Sequence, residues 1–185
     1  MAIEKPDYQV LLKEHNFELR HYSPCITANV GVAAEDRREA ANVGFSILAS
    51  YIFGNNISKQ KIDMTAPVTA SPTPEKISMT APVTVSGSVS FTISFMMPKI
   101  FSMESLPQPK DPRIVFKEHP ERLMAAIRFA GVFNEKNFSR HQLLLEEWLS
   151  KKGITPAGPP VIAGYDPPFT PWLLKHNEIM VEYPG

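Results

Sequence analysis

Hydrophobic and polar positions along the chain repeat with two different periods. In VSFTISFMM, residues 89–97, Phe91, Ile93 and Phe95 alternate with Thr92 and Ser94, the period-two pattern of a half-buried strand. Over about 35–53 the apolar positions instead recur three and four apart, as Ala40, Val43, Ile47, Tyr51 and as Ala41, Phe45, Leu48, Ile52. That spacing predicts an amphipathic helix, closed by Gly54-Asn55-Asn56. A second helix is predicted over about 135–152, with Phe138, Leu144, Leu145, Trp148 and Leu149 facing inward and Gly153 as the residue after its C-cap.

Each predicted helix follows a strand, a tight turn and another strand. The first such segment is VLLKEHNFELRHYSPCITANVGV, turning at His15-Asn16; the second is RIVFKEHPERLMAAIRFAGVF, turning at His119-Pro120. Lys13-Glu14-His15 matches Lys117-Glu118-His119, and Leu19 matches Leu123, at a constant offset. After the helices, strands return as FTISFMM in one half and as VIAGY and EIMVEY in the other. The Pro-rich segment 106–112 has the composition of a linker between halves. The pattern predicts a single α+β domain over 1–185 with internal pseudo-repeats at about 7–100 and 112–184. Its strand-strand-helix-strand units would share one curved sheet or barrel, with both helices outside.

A shorter phrase is also said twice. KIDMTAPVT, residues 61–69, returns as KISMTAPVT, residues 76–84. Alternation places Ile62, Met64, Ala66 and Val68 on one face of an extended strand, and Ile77, Met79, Ala81 and Val83 in the second copy. Pro67 and Pro82 cannot donate to a ladder, which favours an edge or a strand end. Ser71-Pro72-Thr73-Pro74-Glu75 turns the chain between copies, and Gly87-Ser88 fits a hairpin turn into the next strand. A methionine copper site is disfavoured because Met64 and Met79 fall at packed strand positions.

Composition narrows the function classes. Nineteen basic and nineteen acidic residues cancel, with no basic stripe to recruit nucleic acid or an anionic membrane. The opening MAIEKPDYQV lacks the apolar region of a signal peptide, and no apolar run reaches membrane-helix length. Cys25 is the single cysteine, so an intrachain disulfide and any multi-cysteine metal site are excluded. A soluble, cytoplasmic protein is expected.

FELRHYSP, GFSILASYIFGNN, KIDMTAPVT and GYDPPFTPWLLKHNEIMVEY together resemble the SOUL haem-binding family in order and spacing, from Tyr8 to Tyr183. The doubled MTAPV is similar to the form of bacterial and plant members. The resemblance implies a distorted antiparallel β-barrel flanked by two helices, a monomer that binds haem or another tetrapyrrole non-covalently in an apolar surface groove. The balanced charge leads to the expectation of no nucleic-acid and no membrane partner. The resemblance also implies kinship to GyrI-like ligand-binding modules, and hence an alternative natural ligand that is amphipathic and not haem.

Carried onto this chain, the groove would set Phe45, Leu48, Ala49 and Ile52 against Tyr165, Pro167, Pro168, Phe169 and Trp172. Lys175 and His176 would meet the ligand's carboxylates, and His21 would be the one candidate axial metal ligand. The pattern departs from the haem-binding vertebrate branch where helix cations are replaced by Asn42 and Ser50, and a loop cation by Thr170. Haem is therefore expected to bind chiefly by apolar burial. No hydrolase, metalloprotease or P-loop motif occurs, so no enzyme activity is expected. Glu178 is the one residue that would act as a general base if buried without a partner, and a strand-end carboxylate paired with Lys or Arg if not.

Overall fold

The computed structural model describes residues 4–72, 89–132, 134–166 and 170–185. Nine strands and two helices follow in the order β1 (Tyr8–Glu14), β2 (Phe17–Tyr22), β3 (Cys25–Ala34), α1 (Arg37–Ile52), β4 (Val68–Pro72), β5 (Val89–Met96), β6 (Ile114–His119), β7 (Arg122–Phe129), α2 (Glu135–Lys151), β8 (Val161–Gly164) and β9 (Asn177–Glu182). The fold is α+β. All strands join one antiparallel sheet in the order β1-β2-β7-β9-β8-β4-β5-β3-β6, a curved sheet whose two edges do not pair with each other.

Local chemistry sets the helix ends. The Asp36 carboxylate accepts from Glu39 N–H at 2.8 Å, while the Glu39 carboxylate accepts from Glu35 N–H at 2.9 Å, which ties down the first turn of α1 from both sides. At α2 the Asn134 side chain accepts from Asn137 N–H at 2.9 Å. Gly153, at φ 70°, ends α2 as its sequence position predicts, with Gly153 N–H bonded to Ser150 O and Ile154 N–H to Leu149 O, both at 3.0 Å.

Both helices cover the same face of the sheet. Val30 and Val32 on β3 with Phe91, Ile93 and Phe95 on β5 pack under α1, and Ala125, Ile127, Ile179 and Val181 pack under α2. Gly44 brings α1 so close that a Cβ there would lie 2.4 Å from Ile93 Cγ1. Arg37, at the start of α1, reaches Glu135, at the start of α2, at 3.3 Å. A second apolar cluster of Tyr22, Met124, Ala126, Ala163 and Met180, with Tyr165 against it, occupies the opposite face.

Three sequence expectations need correction. Three strands precede α1 and two precede α2, because Ser23-Pro24 splits the predicted second strand into β2 and β3. β2 then pairs with β7 in one half of the sheet and β3 with β6 in the other. The matched Lys-Glu-His triplets align β1 with β6, whereas it is exchanging β2 with β6, β3 with β7, β4 with β8 and β5 with β9 that maps the strand order from β2 to β6 onto its reverse.

The first MTAPV copy becomes a strand only from Val68. Thr65, Ala66 and Pro67 are all buried, without alternation. Pro67 has no N–H for a ladder, and this stretch is wedged in place: Ala66 N–H donates to Glu4 O at 3.0 Å and Thr65 Oγ1 to Met96 O. The second copy and Gly87-Ser88 lie outside the described residues.

The segment 106–112 is more than a spacer. Leu106 and Pro107 are buried, Tyr51 Oη donates to Pro107 O at 2.8 Å, and Ile57 N–H bonds Gln108 O at 2.9 Å. It straps the C-terminal end of α1.

Candidate functional site: a buried Arg20–Glu178 centre under aromatic rings

Strand alternation in β2 turns Glu18, Arg20 and Tyr22 to the face opposite the helices, and alternation in β9 does the same for Glu178 and Met180. Between these strands, directly opposite Arg20 and Glu18, β7 places Met124 and Ala126 on this face, and Arg20 crosses over them. Its Nη1 and Nη2 donate to Glu178 Oε2 and Oε1 at 2.7 and 2.8 Å, its Nε donates to Glu18 at 2.8 Å, and Nη1 also donates to Tyr22 Oη at 2.9 Å. Arg20 and Glu178 are 2% and 1% exposed, so neither charge is shielded by water.

Two further groups complete the carboxylate. Tyr165 Oη donates to Glu178 Oε2 at 3.0 Å, and His176 Nε2 donates to Oε1 at 2.8 Å. All four acceptor positions of Glu178 are used. Tyr165 and His176 stack at 4.3 Å between ring centroids, and Tyr165 N–H bonds His176 O at 3.1 Å, so each ring holds the other. On the far side Tyr8 packs on Tyr22 at 4.9 Å and lies under the Arg20 guanidinium at 4.4 Å.

The electrostatics follow from this geometry. Burial by itself would push the Glu178 carboxyl up, but the bonds from Arg20 and His176 outweigh it and hold the group at about 2. Burial pushes Tyr22 up to about 12, and burial with the neighbouring Glu178 charge raises Tyr165. Glu178 is thus a paired carboxylate at neutral pH. It has neither the raised pKa nor the open lone pair of a general base.

The sequence-predicted residues are distributed as follows. Tyr165 and His176 belong to the Glu178 centre. Leu48, Ala49 and Ile52 on α1 are buried, at 0%, 8% and 1% exposure, and half-buried Phe45 meets Phe95 edge-on at 5.4 Å. Leu48, Ile52 and Phe45 pack in the cluster under the helices, and Tyr165 packs against the cluster on the opposite face. Lys175 is half-buried beside Leu173 and Leu174, which are 63% and 72% exposed. Pro167, Pro168 and Phe169, with the side chain of Trp172, lie outside the described residues. His21 points to the helix-bearing face, away from Arg20 and Tyr22; its side chain is 40% exposed and its Nε2 lies 3.4 Å from Glu121.

His119 and His141 are engaged elsewhere, and His15 is exposed at the β1–β2 turn. His119 accepts at Nδ1 from Arg122 at 3.1 Å, so its Nε2 proton goes to Thr27 Oγ1 at 3.0 Å. Burial and the nearby Arg122 and Lys117 charges lower His119 to about 4, which keeps it neutral. His141 donates to Asn137 O at 2.7 Å and stacks on Phe129 at 3.9 Å. Among the described residues no three His, Cys, Asp or Glu side chains converge as a metal site.

Comparison with known proteins decides the family. The SOUL heme-binding protein model matches residues 3–182, nearly the whole chain. The chain belongs to the SOUL family. It is 28% identical to human Heme-binding protein 2 over 174 residues, covering 88% of this chain and 80% of that protein. Among solved structures, the SOUL fold seen here is similar to the EcmrR C-terminal domain, with TM-score 0.65 at 12% identity, covering 96% and 98% of the two chains. It is also similar to a hydrolase from Listeria innocua, with TM-score 0.60 at 10% identity and 94% coverage of each. Likeness at these identities concerns the fold alone.

Sequence reasoning flagged Glu178, Tyr165 and His176 but missed Arg20, Tyr22 and Tyr8. The signal was present in the Glu18, Arg20, Tyr22 alternation, which has the look of a solvent face until the strand partners are known.

Proposed function

We propose that this SOUL protein binds haem or another tetrapyrrole non-covalently, as a monomeric cytoplasmic carrier or buffer without chemistry of its own. The observation that carries the reading is the family match along residues 3–182, together with the resemblance to human Heme-binding protein 2. The side chains present suit a flat apolar acid. Exposed Leu173 and Leu174 offer apolar surface next to the Lys175 ammonium, a partner for a propionate, on the segment that follows Tyr165. With His119, His141 and His176 held in hydrogen bonds, the tetrapyrrole is bound by apolar burial, and His21 contributes at most a peripheral contact.

A cation-binding reading of the Glu178 face has less support. Arg20 already supplies the charge that an organic cation would bring, inside the protein and at hydrogen-bond distance. A cavity of about 570 Å³ at the ends of β3 and β5, floored by Ile26, Met96, Met97 and Phe101, is large enough for a small molecule. Its rim carries Asp7 and Glu118 against Lys99, which disfavours a dicarboxylate.

The test is an absorbance titration of ferric haem into the wild type and into a Leu173→Ser, Leu174→Ser double variant. Saturable one-to-one binding that weakens at least about tenfold in the variant is expected. No saturable binding to the wild type would remove the reading.

A further inference from the structure

Arg37 carries a buried donor that has no hydrogen-bond partner among the described residues. The side chain is 5% exposed, and its guanidinium lies 3.8 Å from the Phe138 ring centroid and 5.3 Å from that of Phe91. Its Nε and Nη2 reach the Glu135 carboxylate only at 3.3 and 3.4 Å, while Nη1 is buried without a hydrogen-bond partner. A buried, under-satisfied cation is costly, and a chain keeps one where a further acceptor arrives.

The surroundings say which acceptor. Arg37 opens α1, a helix of 16 residues, and Glu135 opens α2, one of 17 residues, so two helix N-termini meet at this point. The caps Asp36 and Asn134 occupy the N–H groups of Glu39 and Asn137. That leaves the first N–H groups of each helix pointing outward with partial positive charge. Glu135, whose side chain is 57% exposed, is held loosely enough to be displaced.

We propose that the junction of the two helix N-termini is an oxyanion site, in which Arg37 Nη1 and Nη2 and the free first-turn N–H groups take a phosphate or carboxylate in place of Glu135. A tetrahedral oxyanion can span the end of the guanidinium as well as its Nη2 edge, which the tethered Glu135 carboxylate does not. Two sources present this chemistry: a free anion such as inorganic phosphate, or the carboxylate of a bound tetrapyrrole. The second source rests on the function proposed above; the first does not.

The experiment is a titration of inorganic phosphate into isotope-labelled protein at constant ionic strength, following backbone amide resonances. Saturable shifts centred on Arg37, Arg38, Glu135 and Lys136 are expected. Glu135→Gln should tighten phosphate binding about tenfold by removing the internal competitor, and Arg37→Met should abolish it. Should Arg37→Met fail to fold, the gain in Glu135→Gln still decides the matter. Competition between phosphate and protoporphyrin, absent with the dimethyl ester, identifies the tetrapyrrole carboxylate as occupant; saturable phosphate binding without competition identifies a free oxyanion. Failure of any porphyrin to bind would remove the function proposed above and leave the phosphate result standing. Absence of saturable shifts at this junction, or an unchanged affinity in Glu135→Gln, overturns the site.

Discussion

Arg20 on β2 and Glu178 on β9 meet end-on at 2.7 and 2.8 Å across 158 residues of chain, each almost wholly excluded from water. The pair holds β2 to β9 over the intervening strand β7. It also settles what the site face is not: a carboxylate with Arg20, Tyr165 and His176 on its oxygens has no capacity left for a base or for an external cation.

Removing one partner should be worse than removing both. Arg20→Met leaves Glu178 buried without its main counter-charge and is expected to cost about 3–5 kcal/mol, whereas Arg20→Met with Glu178→Met should recover much of that loss. Chemical denaturation of the three proteins checks the order. A double variant less stable than the single would contradict it.

The same pair predicts an acid limb. The Glu178 carboxyl falls from its ordinary 4.5 to about 2 in the folded chain, because its bonds outweigh burial. A depressed folded value means stability that is present above the unfolded value and lost as pH falls from about 4.5 towards 2. Thermal midpoints across that window should drop more steeply for the wild type than for Glu178→Gln. Parallel curves would mean that Glu178 does not titrate as its partners demand.

Packing of α1 on the sheet gives a separate prediction. A Cβ at Gly44 would stand 2.4 Å from Ile93 Cγ1, so Gly44→Ala forces the helix or Ile93 to move, at a cost of about 1–3 kcal/mol despite alanine's better helix propensity. In an Ile93→Ala background, where Cγ1 and Cγ2 are gone, Gly44→Ala should cost less than in the wild type, a non-additivity that denaturation of the double variant measures.

How much of this was legible in the sequence depended on how local the cause was. Period-three-and-four spacing located α1 and α2, because Asp36, Asn134 and Gly153 act within a turn or two of themselves. Phe91, Ile93 and Phe95 alternate as their strand requires. Ser23-Pro24 breaks the chain between β2 and β3, a division the sequence reading passed over because the Lys-Glu-His echo suggested a simpler element order than three strands before α1. Where β2 goes after that break, to β7 and not to β3, is decided by sheet packing that no local pattern records. Arg20 was hidden for the same reason, since its partner is set by strand order. The Thr65–Pro67 stretch had strand-like alternation, but its neighbours at Glu4 and Met96 bury both sides.

On the proposed function, a tetrapyrrole binds this chain by apolar burial and not through its metal. The most direct measurement compares ferric haem with metal-free protoporphyrin in fluorescence and absorbance titrations of the wild type and His21→Ala. Affinities within about tenfold of each other, and a His21→Ala effect below about 1.4 kcal/mol, are the predicted result. Selective loss of haem binding and of its low-spin Soret band in His21→Ala, with protoporphyrin spared, would contradict it.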